Sequence, residues 1–113
     1  MNEEIQLTDE QLEEWKAQYK RIYRCYLLDG TEIIWRRLNR TEYKQLVHDY
    51  QDLEDRDERL WAREEACCRA CILYPGKEAV DQILEDNGGI ASVLSDEIYE
   101  KSGFRLQNVP EEL

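Results

Sequence analysis

The chain has 113 residues, 42% hydrophobic and 36% charged, which suits one domain over residues 1–113 with one modest core. Twenty-six acidic against 15 basic residues leave a net charge of −11, a field that repels phosphate and argues against a nucleic-acid binder. No stretch approaches the roughly 20 apolar residues that span a bilayer, and Met1-Asn2-Glu3-Glu4 is unlike a signal or transit peptide, so we expect an intracellular protein whose four cysteines are reduced thiols.

Residues 1–6 read as frayed. Thr8 is a helix cap, with Gln11 completing a capping box, and the helix it opens is expected from about Asp9 to Ile22. Leu12, Trp15, Tyr19 and Ile22 form its apolar stripe. Asp9, Glu10, Glu13 and Glu14 suit the positive end of the helix dipole, and Lys16, Lys20 and Arg21 the negative end. Two runs rich in aromatic and branched residues then flank Asp29-Gly30, which predicts a β-hairpin with a two-residue turn and strands over about 22–28 and 31–37. A lone two-stranded ribbon is marginal in water, so one face must lie on the helices or its edge must pair with another chain.

Asn39 caps the next helix, with Glu42 at the matching third position, and Tyr43, Leu46, Val47, Tyr50 and Leu53 give its stripe. Residues 54–59, Glu-Asp-Arg-Asp-Glu-Arg, carry no apolar position. Either the helix runs through as a solvated bridge or it breaks and restarts with Asp55 or Asp57 as cap; the need for chain reversal favours the break. Leu60, Trp61, Cys67, Cys68, Cys71 and Ile72 then recur at three- and four-residue spacing, which predicts the central buried helix, stopped near Leu73 by Pro75 and Gly76. A short helix follows from Lys77 to about Asp86, with Ala79, Val80, Ile83 and Leu84 inward, and ends at Asn87-Gly88-Gly89. The last helix spans Ile90 to Ser102, burying Ile90, Val93, Leu94, Ile98 and Tyr99; Gly103 takes a left-handed cap position and Phe104 folds back on the final turn. Residues 106–113 read as a flexible acidic tail. Together these elements predict an α+β fold, mainly α, with four to five helices and one hairpin packed on the helical core.

Three segments in order carry a resemblance. Asp29-Gly30-Thr31-Glu32-Ile33-Ile34-Trp35-Arg36-Arg37-Leu38 runs into Asn39-Arg40-Thr41-Glu42-Tyr43; a cysteine-bearing helix ends Cys71-Ile72-Leu73-Tyr74-Pro75; and Gly89-Ile90-Ala91-Ser92-Val93-Leu94-Ser95-Asp96-Glu97-Ile98-Tyr99 closes on Ser102-Gly103-Phe104. This order, over residues 22–104, resembles small tail or baseplate assembly chaperones of contractile-tailed bacteriophages. Arg37 stands where that family usually has proline, and Asn87-Gly88 where a Pro-Ala pair often stands. The resemblance implies a non-enzymatic protein without metal or cofactor, in the host cytoplasm or the virion. Its partners would be tail or baseplate proteins, such as a tape-measure or hub component, or further copies of itself.

The residues fit a binding role. Residues 21–50 carry six basic and four acidic side chains, net +2, between two acidic ends. Trp35, Arg36, Arg37, Arg40 and Tyr43 cluster there, and Trp and Arg are frequent interface anchors. The competing reading makes Trp35 core and pairs the arginines with the protein's own acids. Cys68 and Cys71 form a C-x-x-C pair, with Cys67 and Cys25 as further thiols, but inside a helix such a pair lacks the turn that aims both sulfurs at one zinc, and it sits at the wrong helix end for a redox site; the thiols read as small buried hydrophobes. His48 is the one histidine, no nucleophile turn accompanies it, and Gly88-Gly89 lacks the strand and lysine of a phosphate loop. A second functional reading is an acidic, nucleic-acid-mimicking inhibitor of a host defence protein.

Overall fold

The computed structural model describes residues 6–113, so of the expected fraying of residues 1–6 all but Gln6 falls outside it. Among the described residues the elements run α1 (Asp9–Tyr19), β1 (Ile22–Tyr26), β2 (Glu32–Arg36), α2 (Arg40–Tyr50), α3 (Arg56–Cys71), β3 (Ile72–Tyr74), α4 (Lys77–Asp86) and α5 (Ile90–Lys101). The class is α+β and mainly α, with one antiparallel sheet of order β1-β2-β3. No helix among these residues is long and apolar enough to cross a membrane.

The hairpin forms, with Tyr23 opposite Trp35 and Cys25 opposite Ile33. Its turn is one residue longer than expected. Gly30 N–H donates to Leu27 O and Leu27 N–H to Thr31 O, both at 2.9 Å, so Leu28, Asp29 and Gly30 make the loop. Gly30 takes φ +90°, a position open to glycine without strain. The sheet also has a third strand: β3 pairs with β2, Ile34 opposite Tyr74 and Trp35 opposite Ile72, across a bulge. Ile72–Tyr74 thus leaves the helix that was expected to reach Leu73 and covers the second edge of β2.

One sheet face and three helices enclose the core. Ile33 and Trp35 on β2 meet Cys67, Cys68 and Cys71 on α3, Leu94 and Ile98 on α5, and Leu38 and Leu46 around α2. Tyr23 and Cys25 extend that face from β1. The helix breaks and restarts as expected, with Asp55 Oδ1 capping α3 by accepting from Asp57 N–H at 2.8 Å and Glu58 N–H at 3.0 Å, but α2 ends already at Tyr50, which leaves Leu53, expected on its stripe, outside the helix and exposed. Asn39 and Glu42 form a full capping box on α2. Thr8 achieves only half of one, because Gln11 turns toward Glu14 instead of back to the cap.

Several inward assignments do not hold. α1 stops at Tyr19, so Ile22 belongs to a strand, and the helix has no fully buried residue. Leu60 and Trp61 are 45% and 56% exposed, because the buried face of α3 is confined to Cys67, Cys68 and Cys71 in its last turns. Val93 is 62% exposed and Ala79 is exposed; on their helices only Val80, Leu94, Ser95 and Ile98 are buried outright.

Candidate functional site

All five residues expected to meet a partner lie at the junction of β2 and α2, and the fold sends them in different directions. Trp35 is in the core, 4% exposed, with its ring stacked on Tyr23 at 4.5 Å. Its Nε1 has no hydrogen-bond partner among the described residues, a deficit of about 1–3 kcal/mol. Cys25 lies diagonally across the hairpin on the same face, and burial pushes its thiol up.

Arg36 points to the opposite face and is fully engaged within the protein. Its Nη1 donates to Glu42 Oε1 at 2.9 Å and its Nη2 to Glu42 Oε2 at 2.7 Å, a two-pronged pair. Nη2 also donates to Ala70 O at 2.8 Å, and the guanidinium lies 5.0 Å from the Tyr19 ring centroid. These contacts join α1, β2, α2 and the end of α3. The bonds from Arg36 hold the Glu42 carboxyl below its ordinary value, and Glu42 raises Arg36 in return. Around this pair is a cleft of about 600 Å³ whose walls include Tyr19, Lys20, Arg37 and Ser102. Lys20 has φ +65° at the centre of a tight turn in which Arg21 N–H donates to Tyr19 O at 2.7 Å. That geometry is strained for a side chain with a Cβ.

Arg37 and Arg40 are exposed and form no ion pair among the described residues. Arg40 lies 5.7 Å from the ring centroid of Tyr43. Tyr43, half-buried, opens a second depression of about 240 Å³ with Tyr99, Phe104, Leu60, Arg63 and Glu64. The three aromatic rings meet edge-on, Tyr43 to Phe104 at 4.7 Å, Tyr99 to Phe104 at 5.0 Å and Tyr43 to Tyr99 at 6.2 Å. Phe104 arrives there because Gly103 takes φ +92° and Phe104 N–H bonds back to Tyr99 O at 3.1 Å. Leu38 N–H donates to Ser102 Oγ at 2.9 Å, fastening the end of α5 to the β2–α2 junction. Phe104 is 48% exposed and Leu60 45%, so the groove presents apolar surface to solvent. Of its charged walls, Glu64 accepts from Ser92 Oγ at 3.0 Å.

Sequence reasoning found Tyr43 and the fold-back of Phe104 but not their meeting, which depends on α2 and α5 being brought together by α3. The exposure of Leu60 and Trp61 was equally out of reach, since periodicity shows which face is apolar but not how far along the helix its cover extends.

The cysteines occupy interior space. Cys67, Cys68 and Cys71 are 0% exposed, and Cys25 is half-buried. Burial pushes the Cys68 thiol up to about 12, and its Sγ reaches Ala91 O at 3.6 Å. A hydrogen bond with Cys67, together with burial, pushes Cys71 up as well. Thiols held in the neutral form are poor nucleophiles and poor metal ligands. No group of three or more His, Cys, Asp and Glu side chains among the described residues is arranged to hold a metal ion. The chain matches no family model, no characterised protein and no solved structure.

Proposed function

We propose that this protein is a non-enzymatic assembly factor of a contractile-tailed bacteriophage, a tail or baseplate chaperone or a small virion component, that works by binding other tail proteins. The phage assignment rests on the three ordered segments that resemble such chaperones, from Asp29 to Phe104. The binding mode rests on one observation: an aromatic groove of Tyr43, Tyr99 and Phe104 includes exposed Leu60, and the next residue on α3, Trp61, is exposed as well. Aromatic side chains flanked by arginines are the usual anchors of protein interfaces, and Arg40 and Arg63 supply the flank. A chaperone of this kind shields an aggregation-prone client by stoichiometric contact, so solubility from a charge of −11 suits the task.

The experiment is affinity capture from infected cells, with partners identified by mass spectrometry. The tagged protein should recover tail or baseplate proteins, and the L60D/W61A variant should lose them while keeping its far-UV circular dichroism. Recovery of no tail protein by the wild type counts against the proposal.

The second reading, mimicry of nucleic acid, has one observation in its favour: Asp9, Glu10, Glu13 and Glu14 line a single shallow face of α1. It requires salt-sensitive capture of a basic host protein, abolished by E10Q/E13Q/E14Q and indifferent to L60D/W61A.

A further inference from the structure

Two uncovered apolar features lie at the end of α5. One is the aromatic groove. The other is the tail that begins immediately after it. Residues 105–113 form neither helix nor strand, and Leu106, Val109 and Leu113 are 69%, 85% and 114% exposed. The root of the tail is fixed, by the Phe104 N–H bond to Tyr99 O and by Arg105 Nη1 at 3.5 Å from Glu100 Oε1. No tail residue beyond Phe104 lines the groove of its own chain.

The two features are complementary. The tail is apolar and acidic, with Glu111 and Glu112 after Leu106 and Val109. The groove is apolar, with two cations at its rim, Arg40 over Tyr43 and Arg63 in the wall, against one carboxylate, Glu64, which accepts from Ser92 Oγ. In a chain of charge −11 this rim is one of the few places where an acidic segment meets attraction. Extended, residues 105–113 reach about 30 Å, enough to cross to a neighbouring molecule.

We propose that the tail of one copy lies in the aromatic groove of a second copy, with Leu106 and Val109 against the rings of Tyr43, Tyr99 and Phe104 and Glu111 and Glu112 toward Arg40 and Arg63. The exchange is reciprocal, so it closes as a two-fold dimer. The dimer stands independently of any client. Its use as a cover that a client must displace rests on the binding role proposed above.

Analytical ultracentrifugation of the full chain across the micromolar to millimolar range tests this. The wild type should pass from monomer to dimer. L106D/V109D should weaken the dimer at least about tenfold, with unchanged circular dichroism, because neither side chain touches the core. R63E should also weaken it, and adding E111R/E112R to R63E should restore association. A wild type that stays monomeric throughout overturns the proposal, as does a dimer indifferent to the tail substitutions. So does a monomer in which NMR contacts place Leu106 or Val109 on its own Tyr43, Tyr99 or Phe104 ring, because the tail then covers its own groove. Client capture is read separately: L106D/V109D should still recover whatever L60D/W61A loses, so a failed dimer and a failed binding role give different results.

Discussion

Three of the four hydrogen bonds donated by the Arg36 guanidinium cross to other elements, two to Glu42 and one to Ala70 O. Only a planar fork meets both carboxylate oxygens and a carbonyl together, so lysine is not equivalent here. R36K is expected to lower stability by about 1–3 kcal/mol in urea titration, and R36A by more, because it leaves Glu42 partly buried without its counter-ion. The pair also sets a pH dependence. Glu42 titrates below its ordinary value of 4.5 in the folded protein, so its contribution is complete above that pH and is lost as pH falls through the folded pKa. The stability deficit of E42Q should therefore be greatest near neutrality and shrink in acid below pH 4.5. At this scale the sequence was legible at several short-range bonds. Asn39 with Glu42, Asp55 with Glu58, and Gly103 with Phe104 are local, and each was readable. For Arg36 the reading that pairs the arginines with the protein's own acids holds through Glu42, six residues on, but its bond to Ala70 O, 34 residues away, was not readable.

Among the elements, α3 shows both what a pattern reveals and where it stops. Its cap, its apolar face and its cysteines follow from spacing and charge. The strand after it does not: Ile72–Tyr74 is three residues long, and the backbone groups that make it a strand belong to β2. The hairpin teaches the same lesson, because Asp29-Gly30 marks a turn without fixing its length. The thiols of α3 yield a measurement. Cys67, Cys68 and Cys71 should react with a disulfide reagent only as fast as the protein unfolds, whereas all four cysteines should react at once in denaturant. Because folding raises Cys68 from 9.0 to about 12, its neutral form stabilises the fold fully below pH 9.0, and that contribution declines as pH rises toward 12. Urea midpoints measured across that range should fall accordingly, and C68A should flatten the slope.

For the molecule as a whole, charge and topology act at different ranges. The surface pairs Arg24–Glu32 and Arg69–Asp81 are substantially exposed on at least one side and contribute little each, about 0–1 kcal/mol, while a net charge of −11 repels itself throughout. Added sodium chloride should therefore raise the melting temperature; a fall would show that the pairs outweigh the repulsion. The class of fold was legible at this scale because the five helices and the ribbon of the described residues each announce themselves locally, whereas their assembly turns on β2, among those residues the one strand bonded on both sides. That position has a temporal consequence. During synthesis β2 emerges with β1 as its only neighbour, and its other edge has no partner until the chain has been made through Tyr74. A nascent chain halted at Cys71 therefore carries a hairpin with an open edge; the short step from Ile72 to Tyr74 closes that edge, while the thiols of α3 wait for α5 to cover them.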